Sequence, residues 1–177
     1  MANTYDLIQS YTLGSNTANG ITFSSIPNTY THLVINFSGR DTRSGTYADD
    51  LRIQINGNNG SYSNARLYGA SGGTGADGGT GVNNTYFGFV AGDTATASVF
   101  GNGTMIFPNY ISSTTKNGIQ NSGANSLSAT NDYQLGQNSL ISPVTSPITS
   151  ITITGYNAPS GTLSAGSTFF LYGLKNT

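Results

Sequence analysis

Two stretches within residues 31–56 alternate apolar and polar side chains almost one for one. Leu33, Ile35 and Phe37 interleave with His32, Val34, Asn36 and Ser38; Leu51, Ile53 and Ile55 interleave with Arg52, Gln54 and Asn56. A period of two puts successive side chains on opposite faces, so each stretch predicts a half-buried β-strand. Weaker versions of the pattern recur along the chain. Tyr5, Leu7 and Tyr11 mark a first strand over 4–13, followed by a turn cluster at 14–20. A short strand at 21–23 is closed by Ile26-Pro27-Asn28, because proline has no N–H to give to a ladder. Asn56-Gly57 and Asn59-Gly60 read as turns, and 65–69 as a short strand or bend. Phe87 and Phe89 share a face of a strand at 85–90, and 95–100 with 104–107 predict a pair around Asn102-Gly103, ended by Pro108. Residues 112–140 are polar, and their scattered Ile119, Leu127, Tyr133, Leu135 and Leu140 predict weak edge strands. Pro143 and Pro147 frame a break before a strand marked by Ile148, Ile151 and Ile153, and 167–174 is the last strand. No apolar period of 3.6 survives a helix-length window, so no long helix is expected. Many short β-branched runs between turn signals predict an all-β sandwich or barrel.

Residues 69–81 are so rich in glycine that they predict a loop. Gly73, Gly75 and Gly78 within it fit the spacing G-x-G-x-x-G. That spacing cradles a pyrophosphate only where it leaves a strand and opens a helix. Here it is followed by the period-two pattern of 85–90, which favours a flexible loop over the phosphate reading.

Composition narrows the class. At 177 residues the chain suffices for one sizeable core, and no linker-like break divides it, so 1–177 is read as a single domain. Cysteine is absent, which removes disulfides and thiolate zinc sites. Charged residues are 7% of the chain and the net charge is −1, with no basic stripe of the kind a nucleic-acid groove needs. Eleven Tyr and eight Phe argue against disorder. No apolar run reaches membrane-span length and no signal pattern precedes Tyr5, so synthesis in a cytoplasm is expected. A surface of Ser, Thr, Asn and Gly with little net charge offers little electrostatic resistance to association, which favours a protein that assembles.

The charges that do occur are concentrated. Arg40, Asp41, Arg43, Asp49, Asp50 and Arg52 are six of the thirteen, counting six basic and seven acidic residues. As solvated loop charge they would contribute little, since an exposed pair is worth about 0–1 kcal/mol. Three positive and three negative groups are also self-complementary, which suits a symmetric oligomer, and the subunit-contact reading is favoured. Catalytic readings are weaker. His32 is the sole histidine and no G-x-S-x-G elbow accompanies it, so it reads as a hydrogen-bonded strand-face residue. Asp41, Asp49 and Asp50 could pair for glycoside cleavage, but Arg40, Arg43 and Arg52 are expected to hold them ionised, unlike a general acid. Asp49-Asp50 or Asp77 could offer oxygen ligands to calcium, without an EF-hand-type loop. No cofactor is called for. Tyrosines could stack on a sugar ring, yet they serve more often as core corners and interface area.

Several segments carry a family likeness. They are Met1-Ala2-Asn3-Thr4-Tyr5-Asp6-Leu7-Ile8, then Ile21-Thr22-Phe23-Ser24-Ser25-Ile26-Pro27 and Tyr30-Thr31-His32-Leu33-Val34-Ile35. Further on come Leu51-Arg52-Ile53-Gln54-Ile55-Asn56-Gly57, Tyr62-Ser63 with Arg66-Leu67-Tyr68-Gly69, Ile106-Phe107-Pro108-Asn109-Tyr110 with Thr115-Lys116, and Phe170-Leu171-Tyr172-Gly173-Leu174-Lys175. Along its whole length the chain resembles small β-jelly-roll virion proteins of tailed bacteriophages, notably those infecting cyanobacteria and other aquatic bacteria. The resemblance implies an antiparallel β-sandwich of jelly-roll type and a non-enzymatic structural component of the particle, as a homotrimer. It implies a capsid decoration or cement protein on the outer surface of the virion, partnered by the major capsid protein. The alternative is a tail or fibre module that binds host surface polysaccharide. Loop 69–81 and residues 1–6 are the expected points of shell contact.

Overall fold

The computed structural model describes residues 5–82, 85–126, 133–156 and 162–175. They form an all-β sandwich of twelve strands in two sheets, with every ladder antiparallel. The large sheet has eight strands. Their order is β1 (Tyr5–Thr12), β12 (Thr168–Leu174), β3 (His32–Gly39), β8 (Gly101–Pro108), β9 (Lys116–Asn125), β10 (Tyr133–Ser142), β5 (Tyr62–Ala70) and β6 (Gly73–Val82). The small sheet has four, in the order β2 (Ile21–Phe23), β11 (Ile151–Gly155), β4 (Ala48–Ile55) and β7 (Thr85–Ala91). Apart from β5–β6, β8–β9 and β9–β10, which share the large sheet, successive strands alternate between the two layers.

The core lies where the alternation placed it. Leu33, Ile35 and Phe37 of β3 face Leu51, Ile53 and Ile55 of β4, all at most 4% exposed. Phe37 and Phe87 meet with ring centroids 4.9 Å apart, and Phe107, Phe169 and Leu171 complete the layer. Two buried polar side chains tie down neighbouring loops. The Tyr62 hydroxyl donates to the Asn58 carbonyl at 3.1 Å and accepts the Ile55 amide at 2.9 Å, fixing the turn after β4. The Lys116 ammonium, 1% exposed, donates to the carbonyls of Ser112, Thr114, Thr145 and Val144 at 2.5–3.5 Å, tying two loops together.

Three expectations need correction. The glycine-rich stretch is a ten-residue strand, β6, and not a loop. A Cβ at Gly75 would lie 2.6 Å from the Tyr68 ring, and one at Gly78 would lie 2.5 Å from the Asn64 carbonyl, so close cross-strand contact uses the missing side chains. Residues 95–100 are turns, and β8 starts only at Gly101. The polar region 112–140 supplies β9 and β10, ten residues each, in the interior of the large sheet and not at its edge. Leu127 and residues 1–4 lie outside the described residues.

Candidate functional site

The six clustered charges turn largely inward. Arg40 donates to the carbonyls of Asp93, Ala95, Thr96 and Val99 at 2.9–3.0 Å and so fastens the loop before β8. Asp41 is fully buried and accepts the Arg43 amide at 2.6 Å. Asp49, 4% exposed, accepts from the Arg43 guanidinium at 3.1 Å and from the Asp50 amide at 2.8 Å. Arg43 and Arg52 flank the Tyr156 ring, 5.5 and 4.4 Å from its centroid. Arg40, Asp41 and Asp49 thus serve the fold of this subunit, while Arg43, Asp50 and Arg52 are half-buried.

Two partners of this cluster escaped the sequence reading. Arg66 on β5 grips Asp77 of β6 with two donors, at 3.0 and 2.6 Å, and reaches across β7 to Asp50 at 2.7 Å. Its guanidinium lies 4.3 Å from the Tyr86 ring centroid and 5.1 Å from that of Phe89, with only 10% of the side chain exposed. The signal existed: a two-residue turn at Ser71-Gly72 pairs position 66 with position 77.

Burial outweighs the arginines in setting acidity. Desolvation pushes Asp41 up to about 6 against the Arg43 amide, with Asp49 and Asp93 adding like charge. It pushes Asp50 up to about 6 against Arg66, and raises Asp49 too. The expectation that neighbouring arginines keep these carboxyls acidic therefore fails: Arg40 points at carbonyls and Arg52 at a ring. The three carboxyls belong to a structural network locked by Arg43 and Arg66, and the sugar-cleaving arrangement would need them open to a ligand. His32 uses Nδ1 to accept the Asn109 amide at 3.1 Å, closing the end of β8. No cluster of three His or Asp side chains able to hold a metal ion occurs among the described residues.

The outward face of the large sheet has a different character. In β9 and β10 most inward positions carry small or polar residues, among them Gly118, Gln120, Ser122, Gly136 and Asn138, with Leu140 and Ala124 as buried apolar exceptions, while Ile119, Leu135 and Ile141 point away from the core. The inversion has a cause. The inward side meets the edge of β7, where Ser122 accepts the Phe89 amide at 2.8 Å and Asn138 donates to the Tyr86 carbonyl. Across the sheet the register aligns Leu7, Tyr172, Val34, Ile106 and Ile119 in one row. Nine large hydrophobic residues are exposed among the described residues, and eight of them lie on this face: Tyr5, Leu7, Leu67, Ile106, Ile119, Tyr133, Leu135 and Ile141. Asn36, Thr104, Asn121 and Gln137 run between the apolar rows, and no Asp, Lys or Arg points outward from the eight strands. A soluble chain rarely exposes so much apolar sheet without something that covers it.

A scan of family models finds no match to this chain, and a comparison with curated proteins finds no relative.

Proposed function

We propose that this protein is a non-enzymatic structural component of a tailed-bacteriophage particle, a cement or decoration protein on the outer capsid surface. In this reading it acts as a homotrimer held to itself and to the major capsid protein by non-covalent contact. The resemblance of its segments supports the virion assignment. The order of the other eight strands, β1-β12-β3-β8 in one layer and β2-β11-β4-β7 in the other, supports a jelly roll with hairpins β5–β6 and β9–β10 added to one sheet. The observation that carries the reading is the uncharged outer face, which gathers eight of nine exposed large hydrophobics. Eight strands about 4.8 Å apart, with four outward residues each, give a footprint of roughly 700 Å², close to the ~800 Å² per partner of a stable interface. A subunit that touches several neighbours makes the departure of any one of them break several contacts together.

The rival is a tail or fibre module that holds host polysaccharide. It draws on a ladder of rings at the β1 edge of the same face: Tyr5 and Tyr172 meet edge-on at 6.0 Å, and Phe170 and Tyr172 stack at 6.4 Å. Counting copies in purified virions separates the two. A number on the order of hundreds is expected for cement, dozens for a tail component. Virions that lack the chain would overturn both, and tight binding of the isolated protein to a glycan array would favour the rival.

A further inference from the structure

A sandwich of two open sheets has four edge strands, and each edge is a template for another chain. Three are blunted here. The edge strand β1 carries Asp6 and a bulge between Leu7 and Gln9. The edge strand β2 is only three residues long. The free side of β7 is occupied by Ser122 and Asn138 from the facing sheet.

The fourth edge, β6, has none of these devices along Gly73–Thr80. It carries no proline and no lysine, and its bulge lies beyond Thr80, opposite Tyr62 and Ser63. Its one charge, Asp77, is turned inward and held by Arg66. Five of its ten residues are glycine, so little side-chain bulk keeps another backbone away. The two-residue hairpin closed by Ala70 and Gly73 sets which groups face outward. The closing pair shares ladder bonds, so Thr74, Ala76, Gly78 and Thr80 direct their N–H and C=O groups away from β5.

We propose that β6 is a strand-addition site and that its occupant is β6 of a second copy, one from a neighbouring trimer, paired antiparallel about a two-fold axis. The edge is neutral to itself once Asp77 is neutralised by its own Arg66, so self-pairing meets no like-charge penalty. Pairing also joins two uncharged outer faces into one continuous sheet of sixteen strands, twice the eight of one copy. The inference deepens the assembly reading by adding a contact between copies that the outer face alone does not supply.

The test uses Ala76→Pro, which removes an outward N–H while leaving the bonds to β5, with Ala76→Ser as a control that keeps the N–H. Self-association is followed by sedimentation, and amide hydrogen exchange is compared at high and low protein concentration. The expected result is a rise of at least about tenfold in the dissociation constant of one association step for A76P and little change for A76S. In the wild type, the amides of Thr74, Ala76, Gly78 and Thr80 should become protected as concentration rises. If they exchange as freely in the associated protein as in the dilute one, the edge is not paired and the proposal is wrong, whether or not A76P folds. Ile119→Lys separates this failure from that of the face contact, because it charges the outer face and leaves the β6 backbone untouched.

Discussion

Replacing Arg66 with methionine tests the inward-facing charge network most sharply. Methionine keeps a flexible apolar stem against Tyr86 and Phe89 but removes every donor to Asp50 and Asp77. The two carboxylates then fare differently. Asp77, 40% exposed, recovers water; Asp50, at 19%, recovers much less. Breaking a buried pair from one side costs about 3–5 kcal/mol, and partial hydration of Asp77 brings the expected loss to about 2–4 kcal/mol. At roughly 2–4 °C per kcal/mol for a chain of this size, the melting temperature falls by about 5–15 °C. The loss should depend on pH. Asp50 titrates near 6 with its arginine in place, so acidification to pH 5 neutralises the stranded carboxyl and narrows the gap between variant and wild type. Adding Asp50→Asn to the variant should recover part of the loss at pH 7.5 by removing the unpaired charge. Urea titrations of the three proteins at the two pH values measure all of this. A variant within about 0.5 kcal/mol of wild type at pH 7.5, or a gap that ignores pH, would refute the reasoning.

Acidification should also strengthen the wild type. Asp41 and Asp50 titrate near 6 when folded against an ordinary 3.8, so the folded chain binds more protons between those values. Stability is then greatest below about pH 4 and declines as the pH rises through 6; a urea midpoint higher at pH 7.5 than at pH 4.5 would contradict this. Lys116→Met removes four carbonyl partners from a fully buried site and should cost about 2–4 kcal/mol in the same assay, an unchanged midpoint showing instead that those carbonyls need no partner. Ile119→Lys, on an exposed position, should leave monomer stability within about 0.5 kcal/mol while removing the association step made through the outer face, the step made through β6 persisting in sedimentation.

The core was legible in the sequence because β3 and β4 alternate cleanly and bury the apolar half of the pattern. The last strand was found for the same reason. Strands β6, β9 and β10 were obscured because most of their inward positions hold Gly, Gln, Asn and Ser, several of which pack against Tyr68, Phe89 and the edge of β7. Hydrophobic periodicity has no signal for a glycine strand, and it has the wrong sign for a strand whose apolar residues face out. That inverted sign, seen at Ile119, Leu135 and Ile141, is also what marks the candidate surface. The charged run from Arg40 to Arg52 attracted a contact reading because sequence alone does not show that Asp41 and Asp49 are buried, or that Arg66 arrives from β5. Leu67 and Arg66 carry the same lesson in two adjacent residues, the leucine exposed and the arginine enclosed.

A cryo-EM map of the intact particle, resolved to side chains, tests the assembly account most directly. It should show Ile106, Ile119 and Leu135 covered by another protein chain, with the Arg43, Arg52 and Tyr156 side of the subunit less contacted. A subunit mounted by that charged side, with the apolar rows of its large sheet open to solvent, would contradict it.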